Sequence, residues 1–206
     1  MANETTHSPC FLQKPDYKIA YNVDNTIYDK GLSEGIRLNN RTLNMYSNDQ
    51  VTHYHINMAA FMKLGEWFDY LRANGVWDNT RIILVSDHST PVGYYDIMCV
   101  GKEMGGYLPL LMVKDFNASG YSVCDDFMTN ADTPVIATSG IIKGPVNPYT
   151  GKPIDSSLKA GPQKVILSGE YSLYKNLDRT TFKMGSWYVV EGDPHKSNSW
   201  KYVGEK

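Results

Sequence analysis

Cysteine, basic charge and long apolar runs are all scarce in this chain of 206 residues, and each shortage closes a class of explanation. There are three cysteines, Cys10, Cys99 and Cys124, and none has metal-type spacing, which argues against a thiolate metal centre. The odd count leaves at least one thiol unpaired within the chain; one disulfide and buried free thiols both fit the rest. Charge is nearly balanced, with 20 Lys and Arg against 22 Asp and Glu. No Lys/Arg cluster offers a footprint for nucleic acid. The longest apolar run, about seven residues around Tyr107 to Val113, is far short of a membrane span, and no signal-peptide pattern is visible. The chain is therefore expected to be soluble, with no nucleic-acid partner, and long enough for one sizeable core or a domain with a small appendage.

What is present begins with an amphipathic stretch. From Tyr54 to Asn74 the residues Ile56, Ala60, Leu64, Trp67, Phe68 and Leu71 recur at spacings of three and four, which predicts one helix with one apolar stripe. Gly75 is placed to end it in a left-handed cap. A short connection, Val76 to Thr80, leads into Arg81-Ile82-Ile83-Leu84-Val85-Ser86, which reads as a buried strand. Asp87 and His88 follow at its carboxyl end, where open α/β sheets place their active sites. An adjacent carboxylate and imidazole suit a divalent cation such as Zn²⁺ or Mn²⁺. Neighbouring strand residues point to opposite faces, so both reach one ion only if the chain bends there. Ser89-Thr90-Pro91 supplies that bend. The plainer reading is a turn-making Asp with a His packed beside it.

The run from Leu64 to His88, with Asn74-Gly75-Val76-Trp77-Asp78-Asn79-Thr80 and Ser86-Asp87-His88 in order, resembles the sulfatase branch of the alkaline phosphatase superfamily. That branch includes lipoteichoic acid synthases and phosphoethanolamine transferases; its members carry a helix, an "nGxxDnT" turn, a strand and "SDHG" or "GDHG". Ser89 stands where the family usually has Gly. Thr6-His7-Ser8-Pro9 is similar to the "THxP" loop, Pro109 to Val113 to a later "vPllikdP" strand, Asn130-Ala131-Asp132-Thr133-Pro134 to "s.vDiaPTi", and Asn147 to Lys152 to the "NPFTGK" segment of membrane-anchored members. The similarities run from about residue 3 to residue 155.

The resemblance implies the carboxyl-terminal part of an alkaline-phosphatase-like three-layer α/β sandwich over residues 1–155. Residues 156–206 have a different texture: Lys164 to Leu167, Tyr171 to Tyr174 and Ser186 to Val190 are short β-type runs between turns, which predict a small antiparallel unit. The resemblance also implies that Asp87 and His88 hold a divalent metal ion (Zn, Mn, Ca or Mg), that His7 contacts the anionic group of a sulfate or phosphate ester, and that the parent is a membrane-anchored protein with an extracytoplasmic domain. The family's nucleophile and acidic metal ligand come before the THxP-like loop, and no C-x-P-x-R or S-x-P-x-R occurs in this chain. The expectation is a carboxyl-terminal portion of a sulfatase-like hydrolase, with no catalytic nucleophile, weak or absent metal binding and no turnover by itself. The alternatives are a phosphoglycerol or phosphoethanolamine transferase of the cell envelope, and a non-catalytic sulfatase-like binding module.

Other stretches carry less. Residues 1–50 read as loop, with a short helix near Ile36 to Tyr46, and the glycines of 92–108 as a loop between strands. Val135 to Ile142 reads as a short helix or strand ended by Gly140 or Gly144. His53 and His55 do not face each other on a helix, so they are expected at a helix start, one of them near the cleft. His195 is a turn residue. Asp125 with Asp126, and Glu4 with Asp16, read as solvated carboxylates. Arg81 and Lys114 flank the two central strands without an assignable role.

Overall fold

The computed structural model describes residues 6–7, 12–30, 35–38, 41–90, 106–154, 161–167 and 186–205. Helices are mixed with small sheets, most of them antiparallel. The chain divides into two compact units, residues 1–84 with 88–120, and residues 85–87 with 121–206.

In the first unit, β1 (Leu12–Gln13) and β2 (Lys18–Ile19) form a minimal antiparallel pair. A mutual amide clasp ties this pair to the start of α1 (Thr26–Asp29). Gln13 Nε2 donates to Asn25 Oδ1 at 3.1 Å, Lys14 N donates to the same oxygen at 2.9 Å, and Asn25 Nδ2 donates to Leu12 O at 3.1 Å. The short helix expected near Ile36 to Tyr46 is instead two strands, β3 (Ile36–Leu38) and β4 (Arg41–Leu43), antiparallel with Leu38 opposite Arg41.

Helix α2 runs from Asn48 to Ala73, starting six residues before the apolar stripe implied. Ser47 caps it by accepting from Gln50 N at 3.2 Å, and Gln50 Oε1 accepts from Tyr46 N at 2.6 Å. Ser47 thereby satisfies one donor that the helix start leaves open, and Gln50 holds the residue before the cap. Ile56, Ala60 and Leu71 are buried as the stripe predicts, and Ala59 joins them. Trp67 departs from the stripe: it is 44% exposed and rests its ring against Phe68 at 5.6 Å. The helix ends as expected at Gly75, whose φ is +68°. Val76 N donates to Leu71 O and Gly75 N to Arg72 O, each at 3.1 Å, which is the Schellman pattern.

Two glycines of this element predict opposite responses. A Cβ added at Gly75 meets no atom within 4 Å, so Gly75→Ala is penalised by backbone alone, about 1 kcal/mol. Gly65 lies inside α2 with the same open space, so Gly65→Ala stabilises by about 0.5–1 kcal/mol. Chemical denaturation of the two variants checks the pair of signs.

Strands β5 (Ile82–Val85) and β6 (Leu111–Lys114) form a two-stranded sheet, with Ile82 buried. Most of the glycine-rich stretch between them, residues 91–105, lies outside the described residues.

In the second unit, a 3-10 turn (Asn130–Asp132) leads into α3 (Thr133–Thr138), with Pro134 in its first turn. Pro suits that position because its missing N–H is not needed there. Gly140 follows the helix at φ +74°. The antiparallel unit expected after residue 155 is present as β7 (Gln163–Leu167), β8 (Ser186–Val190) and β9 (Trp200–Glu205), in that order across one sheet. The Tyr171 to Tyr174 run lies outside the described residues. Tyr188 packs edge-on against Tyr202 at 5.5 Å and Trp200 at 6.1 Å. The register shifts between Trp187 and Tyr188, where β9 carries an extra residue beside Gly204, whose φ is +124°.

Candidate metal-binding strand end

The segment that carries the sequence signature is held in place by its own cations. Lys114 Nζ donates to Trp77 O and, at 2.9 Å, to Thr80 O, so the ammonium closes the turn between α2 and β5. The same ammonium lies 4.5 Å from the Trp77 ring centroid, with the Arg72 guanidinium also over that ring at 4.1 Å. Arg81 donates from Nε to Asp115 Oδ1 at 2.9 Å, and its Nη2 lies 2.8 Å from the same oxygen. The Arg81 bond, helped by the Phe116 N–H, holds the Asp115 carboxyl below its usual range. Arg81 and Lys114 therefore brace the strand pair.

Asp87 and His88 sit just past β5, and both are exposed. His88 Nδ1 lies 3.0 Å from Ser89 O. Ser89 N donates to Gly106 O at 3.0 Å, which fixes the turn that follows. The Asn130 amide donates to both Ser86 O and Asp87 O, each at 2.9 Å. A carboxylate and an imidazole are chemically suited to Zn²⁺ or Mn²⁺, which take about four donors. Among the described residues, no three His, Cys, Asp or Glu side chains come together to hold a metal ion, so His7 adds no third donor. His7 itself is exposed on a turn of the first unit.

His53 and His55 lie well inside α2 and do not form a shared site. His53 is partly buried, and burial lowers its pKa. A folded-state pKa below the unfolded one means that the unfolded chain binds the proton first. Stability is therefore complete above the ordinary imidazole range and falls as pH drops through it. A His53→Gln variant flattens that slope in denaturation curves taken at successive pH values.

His55 is 2% exposed and engaged at both ring nitrogens. Its Nε2 lies 2.5 Å from Asp29 Oδ1 and its Nδ1 3.4 Å from the Tyr17 hydroxyl. With the proton on Nε2, the ring donates to Asp29 and accepts from Tyr17. The Tyr54 ring stands edge-on to it at 5.5 Å. Burial, then the nearby Tyr54 and Asp29, raise the Tyr17 pKa and keep the phenol neutral. This cluster fastens the loop of residues 12–30 to α2. Its members are too far apart in the chain for any local pattern to announce it.

Asp125 and Asp126 are exposed, as is Cys124, which is a free thiol, and Asp16 pairs with Lys18 at 3.1 Å. His195 lies 3.1 Å from Asp193 in a turn. Cys10, Cys99 and Glu4 lie outside the described residues. No described helix is long and apolar enough to cross a membrane. Compared with protein-family models, curated proteins and solved structures, the chain matches none.

Proposed function

We propose that this chain is the carboxyl-terminal portion of a metal-dependent sulfatase-like hydrolase that acts on a sulfate or phosphate ester. The observation that carries the reading is the strand end itself. A Gly-capped helix, a turn closed by Lys114 and a short strand deliver Asp87 and His88 to solvent side by side. In that reading Asp87 and His88 hold a divalent cation, and His7 contacts the anionic group of the ester. The metal supplies charge stabilisation to the ester oxygens and activates the nucleophile. The nucleophile and the remaining ligands come from outside this sequence.

The sheet supports the larger architecture. Adjacent strand residues face opposite ways, yet Met112 is 40% and Val113 45% exposed. An apolar strand open on both faces fits a sheet meant to be covered by helices on each side, as in a three-layer α/β sandwich. By the same resemblance, the parent protein is membrane-anchored and this portion lies outside the cytoplasm. A phosphoglycerol or phosphoethanolamine transferase of the cell envelope uses the same two ligands and differs at the nucleophile. A second reading, a non-catalytic sulfatase-like binding module, predicts a sequence without the family's nucleophile motif and acidic ligand. The native coding sequence upstream decides: a strand ending in Asp or Glu, then Ser, Thr or C-x-P-x-R, supports the enzyme; a native start at Met1 supports the module.

A further inference from the structure

A clasp reaches the strand end from a segment more than 40 positions later in the chain. Asn130 Nδ2 donates to the carbonyls of Ser86 and Asp87, both at 2.9 Å. One amide nitrogen carries two protons, so each carbonyl takes one. Two successive carbonyls tied to one point fix the peptide plane between residues 86 and 87 and the orientation of the next. The backbone angles of Asp87, and hence the direction of its Cβ, follow from those planes.

Asn130 is itself braced. Thr129 N donates to Asp132 Oδ2 at 2.9 Å and Asp132 N to Thr129 O at 2.9 Å, which closes the 3-10 turn carrying Asn130. Asp132 is buried, and Asn147 Nδ2 donates to its Oδ1 at 3.3 Å. Asn147, also buried, accepts from Tyr149 N at 2.9 Å and Thr150 N at 3.3 Å, and its own N–H donates to Lys152 O at 2.8 Å. Hydrogen bonds thus run from the 147–152 turn through Asp132 to Thr129, whose backbone carries Asn130 and its bonds to Ser86 and Asp87.

We infer that Asn130 is a positioning residue that sets the Asp87 carboxylate for metal binding. The inference rests on the reading of Asp87 and His88 as metal ligands. Outer-shell partners that orient ligands are worth roughly tenfold or more in metal affinity. Side chains that only stabilise a fold change unfolding instead.

Manganese alone is the probe. Mn²⁺ broadens the nuclear magnetic resonance signals of groups close to it, so even weak binding by the full 206-residue chain is read at each residue. In the native chain, Mn²⁺ broadens the signals of Asp87 and His88 first, and Asp87→Asn with His88→Ala removes the effect. Asn130→Leu, of similar size and without donors, raises the Mn²⁺ concentration for half-broadening about tenfold with little change in melting temperature. Asn130→Gln keeps both donors one methylene further out, recovers part of the loss, and carries the comparison if the leucine variant unfolds. Unchanged broadening in the folded Asn130→Leu chain, or a loss only in proportion to global unfolding, overturns the positioning role and leaves the metal reading intact. Absence of selective broadening in the native chain overturns the positioning role and metal binding by the 206-residue chain alone.

Discussion

Replacing His55 by alanine lowers the stability of the first unit by about 2–3 kcal/mol. The imidazole is buried, with one ring nitrogen 2.5 Å from Asp29 and the other facing Tyr17. Removing it opens a cavity and strands the Asp29 carboxylate. That side chain keeps 26% of its surface in water, which tempers the cost below that of a fully buried pair. Asp29→Asn preserves the shape and weakens only the charge-assisted bond, for roughly 1–2 kcal/mol. Tyr17→Phe changes stability by about 0.5 kcal/mol, because its bond is long. Amide hydrogen exchange locates the effect: protection falls in α1 and the amino half of α2, while β7 to β9 keep theirs. Equal loss everywhere, or none in α1, rules out His55 as the fastening of the 12–30 loop.

On the sulfatase-like reading proposed above, Asp87→Asn and His88→Ala each reduce ester hydrolysis by the longer protein roughly 10³-fold. That figure corresponds to the several kcal/mol of charge stabilisation a bound metal gives the reacting oxygens. Both side chains are exposed, so the substitutions leave the melting temperature nearly unchanged. Excess Mn²⁺ recovers part of the Asp87→Asn loss, because the amide oxygen remains a weak donor. A large loss of folding stability in these variants assigns the pair to structure.

The parts of the fold legible from sequence are those with a local cause. Gly75 needs a positive φ, and the apolar spacing of Ile56, Ala60 and Leu71 specifies one buried face. The start of α2 escaped that reasoning because Asn48 and Asp49 in its first turn are polar. The signal was Ser47-Asn48-Asp49-Gln50, a capping box that precedes the stripe. The β3–β4 pair leaves little trace in the sequence because six short-strand residues carry little periodicity. Trp67 shows that a residue at the edge of a stripe is decided by its neighbours: with Phe68 beside it, the ring packs on the helix surface.

At the strand end, Asp87 and His88 were readable as polar residues after four apolar ones. Their bracing was not. Lys114 reaches back 37 positions to Trp77, Asn130 reaches 43 positions to Asp87, and His55 meets Asp29 across 26. Such pairs leave no periodicity, because each partner obeys the local rules of its own element. Asn130 opens a segment with a helix-start signature, which announces the 3-10 turn and α3 but not the carbonyls that its amide holds.

The most direct test of the proposal that Asp87 and His88 are ligands is an anomalous-scattering map of the longer protein proposed to contain this chain, crystallised with Zn²⁺. The expected result is one peak about 2.0–2.2 Å from an Asp87 carboxylate oxygen and a His88 ring nitrogen together. A peak that leaves both side chains uncoordinated, or the two turned away from one another around an ion held elsewhere, contradicts it.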